Sequence, residues 1–137
     1  MIRIAIADDH AVVRRGLRQI LADESDMKVL GEASSSEEAL SLLRKSLCDV
    51  LVLDINMPCK SGVEMIKEIK SEFPKTMVLV LSMHLEDQFG VRAFRNGASG
   101  YLTKDSNPDE MLQAIRKVAS GKKYITPKLA ELLECEL

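Results

Sequence analysis

The sequence has no tryptophan and only two tyrosines and three phenylalanines among 137 residues, so any core it builds must be aliphatic. Its three cysteines, Cys48, Cys59 and Cys135, are odd in number and lack the paired spacing of a metal site. They read as reduced thiols of a cytosolic protein, not as a disulfide framework. Neither sign of charge dominates: the net charge is −2, which offers nucleic acid or an anionic membrane no global attraction. No apolar run approaches the roughly 20 residues of a membrane span, and no basic, apolar leader pattern opens the chain. A GxGxxG or GxxxxGKS/T loop after the first apolar segment is also missing, which disfavours a dinucleotide or P-loop site. Internal repeats and low-complexity tracts are absent.

What is present is alternation. Hydrophobic residues make up 46% and charged residues 29% of the chain, ordinary for one soluble domain of this length. Short apolar runs predict strands over 2–7, 28–33, 49–54, 77–82 and 100–103. Between them lie amphipathic helices. The first, over 11–21, places Val13, Leu17, Ile20 and Leu21 on one face and Arg14, Arg15 and Arg18 elsewhere. Ser35 followed by Glu38 is a capping box for a helix carrying Ala39, Leu40, Leu43 and Leu47. Ser61 and Glu64 open a third helix that stops at Phe73–Pro74. A fourth, over 85–95, closes on Asn96–Gly97. Asn107, Pro108 and Glu110 open a fifth, with Leu112, Ile115 and Val118 facing inward. Five β-α units with continuously apolar strands imply a doubly wound α/β fold, a parallel sheet covered on both faces. Beyond Gly121 the pattern changes to one short extra helix.

Ligands of open α/β sheets bind at the carboxyl ends of the strands. The first strand ends in Asp8–Asp9, the third in Asp54, the fourth in Ser82, and the fifth runs through Thr103 into Lys104. Three carboxylates on one rim need a cation, and hard oxygen ligands suit Mg2+. Asp54 beside such a cation is a plausible phosphoryl acceptor, because phosphoryl transfer depends above all on positioning and charge neutralisation. Lys104 and the Ser82 hydroxyl would serve the remaining phosphoryl oxygens.

"IADDHAVVRRGL", "VLDINMP" followed by Gly62, "VLVLSMH" and "GASGYLTKD" together resemble the receiver domain of two-component response regulators, most closely the NarL/FixJ (LuxR-tailed) type. The resemblance covers roughly residues 2–120. It implies a flavodoxin-like five-stranded sheet of order 2-1-3-4-5 flanked by five helices. It implies Asp54 as phospho-acceptor, with Asp8, Asp9, Asp54 and the backbone carbonyl of Asn56 holding Mg2+ and Asp9 the more direct ligand. Pro58 and Gly62 would shape the loop after the third strand. Ser82 stands at the switch hydroxyl, Tyr101 at the switch aromatic, and Lys104 at the phosphate-binding lysine; Asn56 and His84 would tune the lifetime of the aspartyl phosphate. A sensor histidine kinase would be the donor, and a homodimer could form on phosphorylation. Transcription would be controlled through a C-terminal helix-turn-helix domain not present in this sequence, with residues 121–137 the start of a linker helix toward it. Asp105 replaces the proline usual after the lysine, and Cys59–Lys60 replace a common Gly–Met pair.

Other readings stand beside this one. Asp8–Asp9 alone would be a solvated turn, and Tyr101 a half-buried core aromatic. His10 reads as the start of the first helix, packing locally, and the three arginines as a solvated helix face. An aspartyl-nucleophile phosphatase would carry its nucleophile on the first strand in a DxD arrangement, whereas here the candidate lies on the third.

Overall fold

The computed structural model describes residues 1–55, 62–82, 86–104, 106–125 and 129–131, the side chains at 62–63 and 86–89 excepted. Its elements follow in strict alternation: β1 (Ile2–Ala7), α1 (Ala11–Ala22), β2 (Met27–Ala33), α2 (Ser36–Lys45), β3 (Val50–Asp54), α3 (Gly62–Glu72), β4 (Met77–Ser82), α4 (Glu86–Arg95), β5 (Gly100–Thr103) and α5 (Pro108–Ala119). All strand pairs are parallel, in the order β2-β1-β3-β4-β5. This is the doubly wound arrangement with its switch point between β1 and β3.

The two-residue period of the strands divides the core in two. Ile4 and Ile6 of β1, Val50 and Val52 of β3, Leu79 and Leu81 of β4 and Leu102 of β5 meet Leu17 and Leu21 of α1 and Met111, Ala114, Ile115 and Val118 of α5. The intervening residues, among them Ala5, Ala7, Leu51, Leu53, Val78, Val80 and Tyr101, face α2, α3 and α4. The strands look apolar throughout because both faces are covered.

Local signals set the helix ends. Ser35 caps α2 by accepting the Glu38 backbone N–H at 3.2 Å. Asn107 does the same for α5 through Glu110 at 2.9 Å, with Pro108 next in line. Asn96–Gly97 ends α4, Gly97 adopting φ 112°, a left-handed stop that favours glycine. Ser61 of the expected third capping box lies outside the described residues. One helical expectation is corrected. Leu47 does not share the α2 face: the helix ends at Lys45, Ser46 is extended, and Leu47 is 77% exposed. The chain must straighten there to enter β3, so helical spacing no longer applies. Leu112 is partly buried at the edge of its cluster, while Ile115 and Val118 are fully buried.

Cys48 precedes β3 in the core and its thiol donates to the Val50 carbonyl at 3.2 Å. Burial pushes this thiol up to about 11. The protonated form is therefore favoured by folding, and its contribution to stability is lost as pH rises from about 9 through about 11. Native Cys48 is expected to resist iodoacetamide at pH 8 and to react on unfolding in urea, read by mass spectrometry in a C59S/C135S background. Ser35→Ala is expected to cost about 1 kcal/mol of stability through the lost cap, measured by urea denaturation.

Candidate functional site

Sheet register builds the site. Ala7 pairs with Leu53, so Asp8 and Asp54 stand level at the carboxyl ends of neighbouring strands. Asp54 pairs with Leu81, and Ser82 with Thr103. The Lys104 amide donates to the Ser82 carbonyl at 2.8 Å, which carries β5 past its own last residue and aims Lys104 along the rim. Strand alternation then places Asp8, Asp54 and Lys104 on the same side of the sheet as Ile6, Val52 and Leu102. Ser82 and Tyr101 follow the other alternation, toward α4.

Both central carboxylates are buried, Asp8 and Asp54 each 1% exposed. The Lys104 ammonium lies 3.2 Å from Asp54 Oδ2 and 3.1 Å from Asp8 Oδ2, and its side chain is only 7% exposed. Burial alone would lower this ammonium, but the hydrogen bond to Asp54 and the close negative charge of Asp8 and Asp54 outweigh it and hold Lys104 above the usual lysine value. The group is charged at any physiological pH. Asp8 Oδ2, although within ion-pair distance of Lys104, accepts no hydrogen bond of good geometry. A buried carboxylate oxygen left this way has spare ligating capacity.

His10 is expected to start the first helix and pack locally, and the structure adds how closely it meets the carboxylates and Lys104. His10 does stand at the start of α1, yet its side chain makes no cap bond. Its Nδ1 lies 2.9 Å from Asp9 Oδ1, 3.1 Å from Asp8 Oδ1 and 3.4 Å from Lys104 Nζ. The backbone turns tightly there, the His10 N–H donating to Asp8 Oδ1 at 2.8 Å. Ligand atoms of Asp8, Asp9, His10 and Asp54 all lie within 4.8 Å of one another. Such a set suits a divalent cation by donor type and spacing.

Arg14 was read as part of a solvated face, and it is not. Its Nη1 donates to the Asp8 carbonyl at 2.6 Å and its Nε to Glu32 at 3.2 Å, tying α1 to the rim and to β2. Arg18 also pairs with Glu32, while Arg15 is exposed. The signal available in advance was spacing: Arg14 lies one helical turn after His10 and returns to the strand end. Ser82 is fully buried at the β4 end, and Tyr101 is buried one strand over. Asn56, Pro58, His84 and Asp105 fall outside the described residues. Gly62 is the first residue of α3.

Residues 4–116 match the family profile described as the response regulator receiver domain. The response regulator GacA of Pseudomonas aeruginosa (strain PAO1) is 38% identical over 133 residues, covering 97% of this chain and 62% of GacA. The chain thus spans less than two thirds of the length of this curated relative. Among solved structures, a LuxR-family two-component response regulator from Aurantimonas sp. SI85-9A1 superposes with TM-score 0.88 at 34% identity, covering 98% of this chain and 96% of that one. The isolated REC domain of RcsB from Salmonella enterica serovar Typhimurium, solved with the phosphomimetic BeF3−, gives TM-score 0.86 at 29% identity, covering 96% and 98%. RcsB is also solved as a complex with DNA, where this chain covers 67% of the longer RcsB chain at TM-score 0.86 and 29% identity.

Lys104→Met would leave Asp8 and Asp54 facing each other without their shared cation. The expected loss is about 3 kcal/mol in metal-free buffer, measured by urea denaturation, with part of it restored by a millimolar divalent cation that binds only the native state. In the unaltered protein the Lys104 contribution is present below the ordinary lysine value and is lost as pH rises above it, since its folded value is raised.

Proposed function

The chain belongs to the response regulator receiver domain family, and on that premise we propose that it is a phosphorylation switch whose acceptor is Asp54. The observation that carries this reading is the buried Asp54 carboxylate with the Lys104 ammonium 3.2 Å away and Asp8 sharing the same ammonium at 3.1 Å. An Asp54 oxygen attacks the phosphorus of a phosphohistidine on a sensor kinase, or of a small acyl phosphate. The bond from phosphorus to the donor nitrogen or oxygen breaks, and its electron pair leaves with the donor. Lys104 stands ready to neutralise the added charge, and the Ser82 hydroxyl serves another phosphoryl oxygen. Asp8 and Asp9, with Asp54 and the Asn56 carbonyl, would hold Mg2+. The three carboxylates fit that ion: they offer hard oxygens at mutual ligating distance, one of them buried without a good hydrogen bond. Bound there, Mg2+ would neutralise phosphoryl charge in the transition state.

His10 covers this pocket and must yield when a phosphoryl group enters. Its side chain is 61% exposed, so the ring can swing outward at little cost in packing. The chemistry is self-phosphorylation and self-dephosphorylation with no turnover of an external substrate. His84 and Asn56 would tune the lifetime of the aspartyl phosphate.

The likeness to GacA and to RcsB supports a downstream reading. Residues 1–120 act as the receiver and 121–137 lead toward an effector domain of a longer chain. That domain would bind DNA by a helix-turn-helix and regulate transcription, with homodimerisation on phosphorylation. No helix of the described residues is long and apolar enough to cross a membrane, in keeping with a cytoplasmic bacterial regulator.

Incubation with acetyl phosphate and Mg2+ is expected to add one phosphoryl mass to the intact protein and none to Asp54→Asn, read by mass spectrometry; wild-type labelling of that variant would overturn the assignment. Asp9→Ala is expected to fold normally and to weaken Mg2+ affinity by tenfold or more, on the order of 1.4 kcal/mol, followed by NMR titration. Multiple turnovers of a generic phosphomonoester would favour the phosphatase reading instead.

A further inference from the structure

The chain does not leave the domain after α5. Gly121, at φ 91°, turns it back along the outer edge of β5. Tyr124 forms a parallel bridge with Gly100. Its N–H donates to the Ser99 carbonyl at 2.9 Å, and its carbonyl accepts the Tyr101 N–H at 3.3 Å. The segment alternates like a sixth strand: Tyr124 packs on the α1/α5 cluster and Ile125 on the opposite one. The Lys117 and Lys123 ammoniums lie over the Tyr124 and Phe94 rings, at 5.9 Å and 5.7 Å from the centroids. Farther along, Leu129 is fully buried in the cluster that holds Val91, Phe94 and Tyr101.

Gly90 makes that seat. It lies inside α4, where glycine is a poor helix former. A Cβ there would stand 2.9 Å from Leu129 Cδ1 and 3.1 Å from Cδ2. Gly100 has the same character on β5, where a Cβ would meet Leu79 at 2.6 Å and Tyr124 at 3.3 Å. Two glycines therefore shape a strand edge and a helix notch, the first met by Tyr124 and the second filled by Leu129.

This surface and the acidic pocket share β5. The strand is four residues long. Tyr101 and Ser99, the residue just before the strand, are bonded to the returning segment, and the residue after its last, Lys104, is paired with Asp54 and Asp8. Tyr101, between the two, is buried in the same cluster as Leu129. We propose that the outer edge of β5 and the Gly90 notch form a docking surface for residues 122–125 and for Leu129, and that filling the Asp54 site releases them. The coupling rests on the phospho-acceptor reading of Asp54. When Lys104 turns from a carboxylate to the larger phosphoryl anion, the end of β5 follows it. Tyr101 shifts with the strand, and the bonds of Tyr124 and the seat of Leu129 weaken together. Release frees a β edge and an apolar notch at once and gives slack to whatever follows residue 131 in a longer chain.

Amide hydrogen exchange at Tyr101 and Tyr124, with trypsin cleavage after Lys122 and Lys123, reads the segment directly. Phosphorylation by acetyl phosphate with Mg2+, verified by intact mass, is expected to speed both by about tenfold. Leu129→Ala and Gly90→Leu are expected to give the same rise without phosphorylation while α5 and β1 amides stay protected. Gly90→Leu fills the notch with a good helix former and carries the test should Leu129→Ala unfold. Reciprocity requires beryllofluoride to bind the released variants more tightly by the same factor. A phosphoryl mass with unaltered exchange overturns the coupling and leaves Asp54 as acceptor. Absence of the mass overturns both. Variants that exchange like the wild type overturn Leu129 as the anchor.

Discussion

Everything at the carboxyl rim depends on one buried ammonium held between two buried carboxylates. Asp8 and Asp54 stand level because β1 and β3 pair in register, and without a cation their charges would oppose each other in a poorly hydrated space. Lys104 supplies that cation from β5, two strand positions away from β3. Neighbouring strands are about 4.8 Å apart, so only a long side chain leaving the end of β5 spans the gap. A lysine suits this better than an arginine, since a point charge on a flexible stem can exchange one anion for another without rebuilding a planar fork. The rim is thus held by an interaction whose partner can change, which is what a switch requires.

The shortness of β5 gives that interaction its reach. A four-residue strand at a sheet edge has few bonds of its own, and here both ends are committed elsewhere: Lys104 to the carboxylates, Tyr101 and the preceding Ser99 to Tyr124. The two-residue period places Lys104 and Asp54 toward α1 and α5 but Tyr101 and Ser82 toward α4. A displacement of the strand end is therefore felt on both faces of the sheet. Arg14 adds a fixed point on the opposite side, clamping the Asp8 carbonyl to α1 and, through Glu32, to β2.

Much of this could be read along the chain. The bounds of β1, β4 and β5 match the apolar runs, and the Ser35 and Asn107 caps form as their spacing predicts. Asp8, Asp54 and Lys104 follow from the strand-end rule once the strands are placed. The failures share a cause. Leu47 fits a helical period that the turn into β3 interrupts. Arg14 depends on how the chain turns after β1, which brings its guanidinium back to the Asp8 carbonyl. The seat of Leu129 at Gly90 joins residues 39 positions apart in the chain (129 − 90), beyond any local pattern.

By itself the amino-acid order determined the alternation of strands and helices, the aliphatic core, the helix ends and the three carboxylates at two strand ends, because each rests on propensity, period or capping within a few residues. Only tertiary structure decided which charges share an ammonium, which way His10 and Arg14 point, and that the segment after Gly121 returns to β5. Those outcomes depend on strand register and on distances across the sheet, quantities fixed by packing of all ten elements together and carried by no single stretch of sequence.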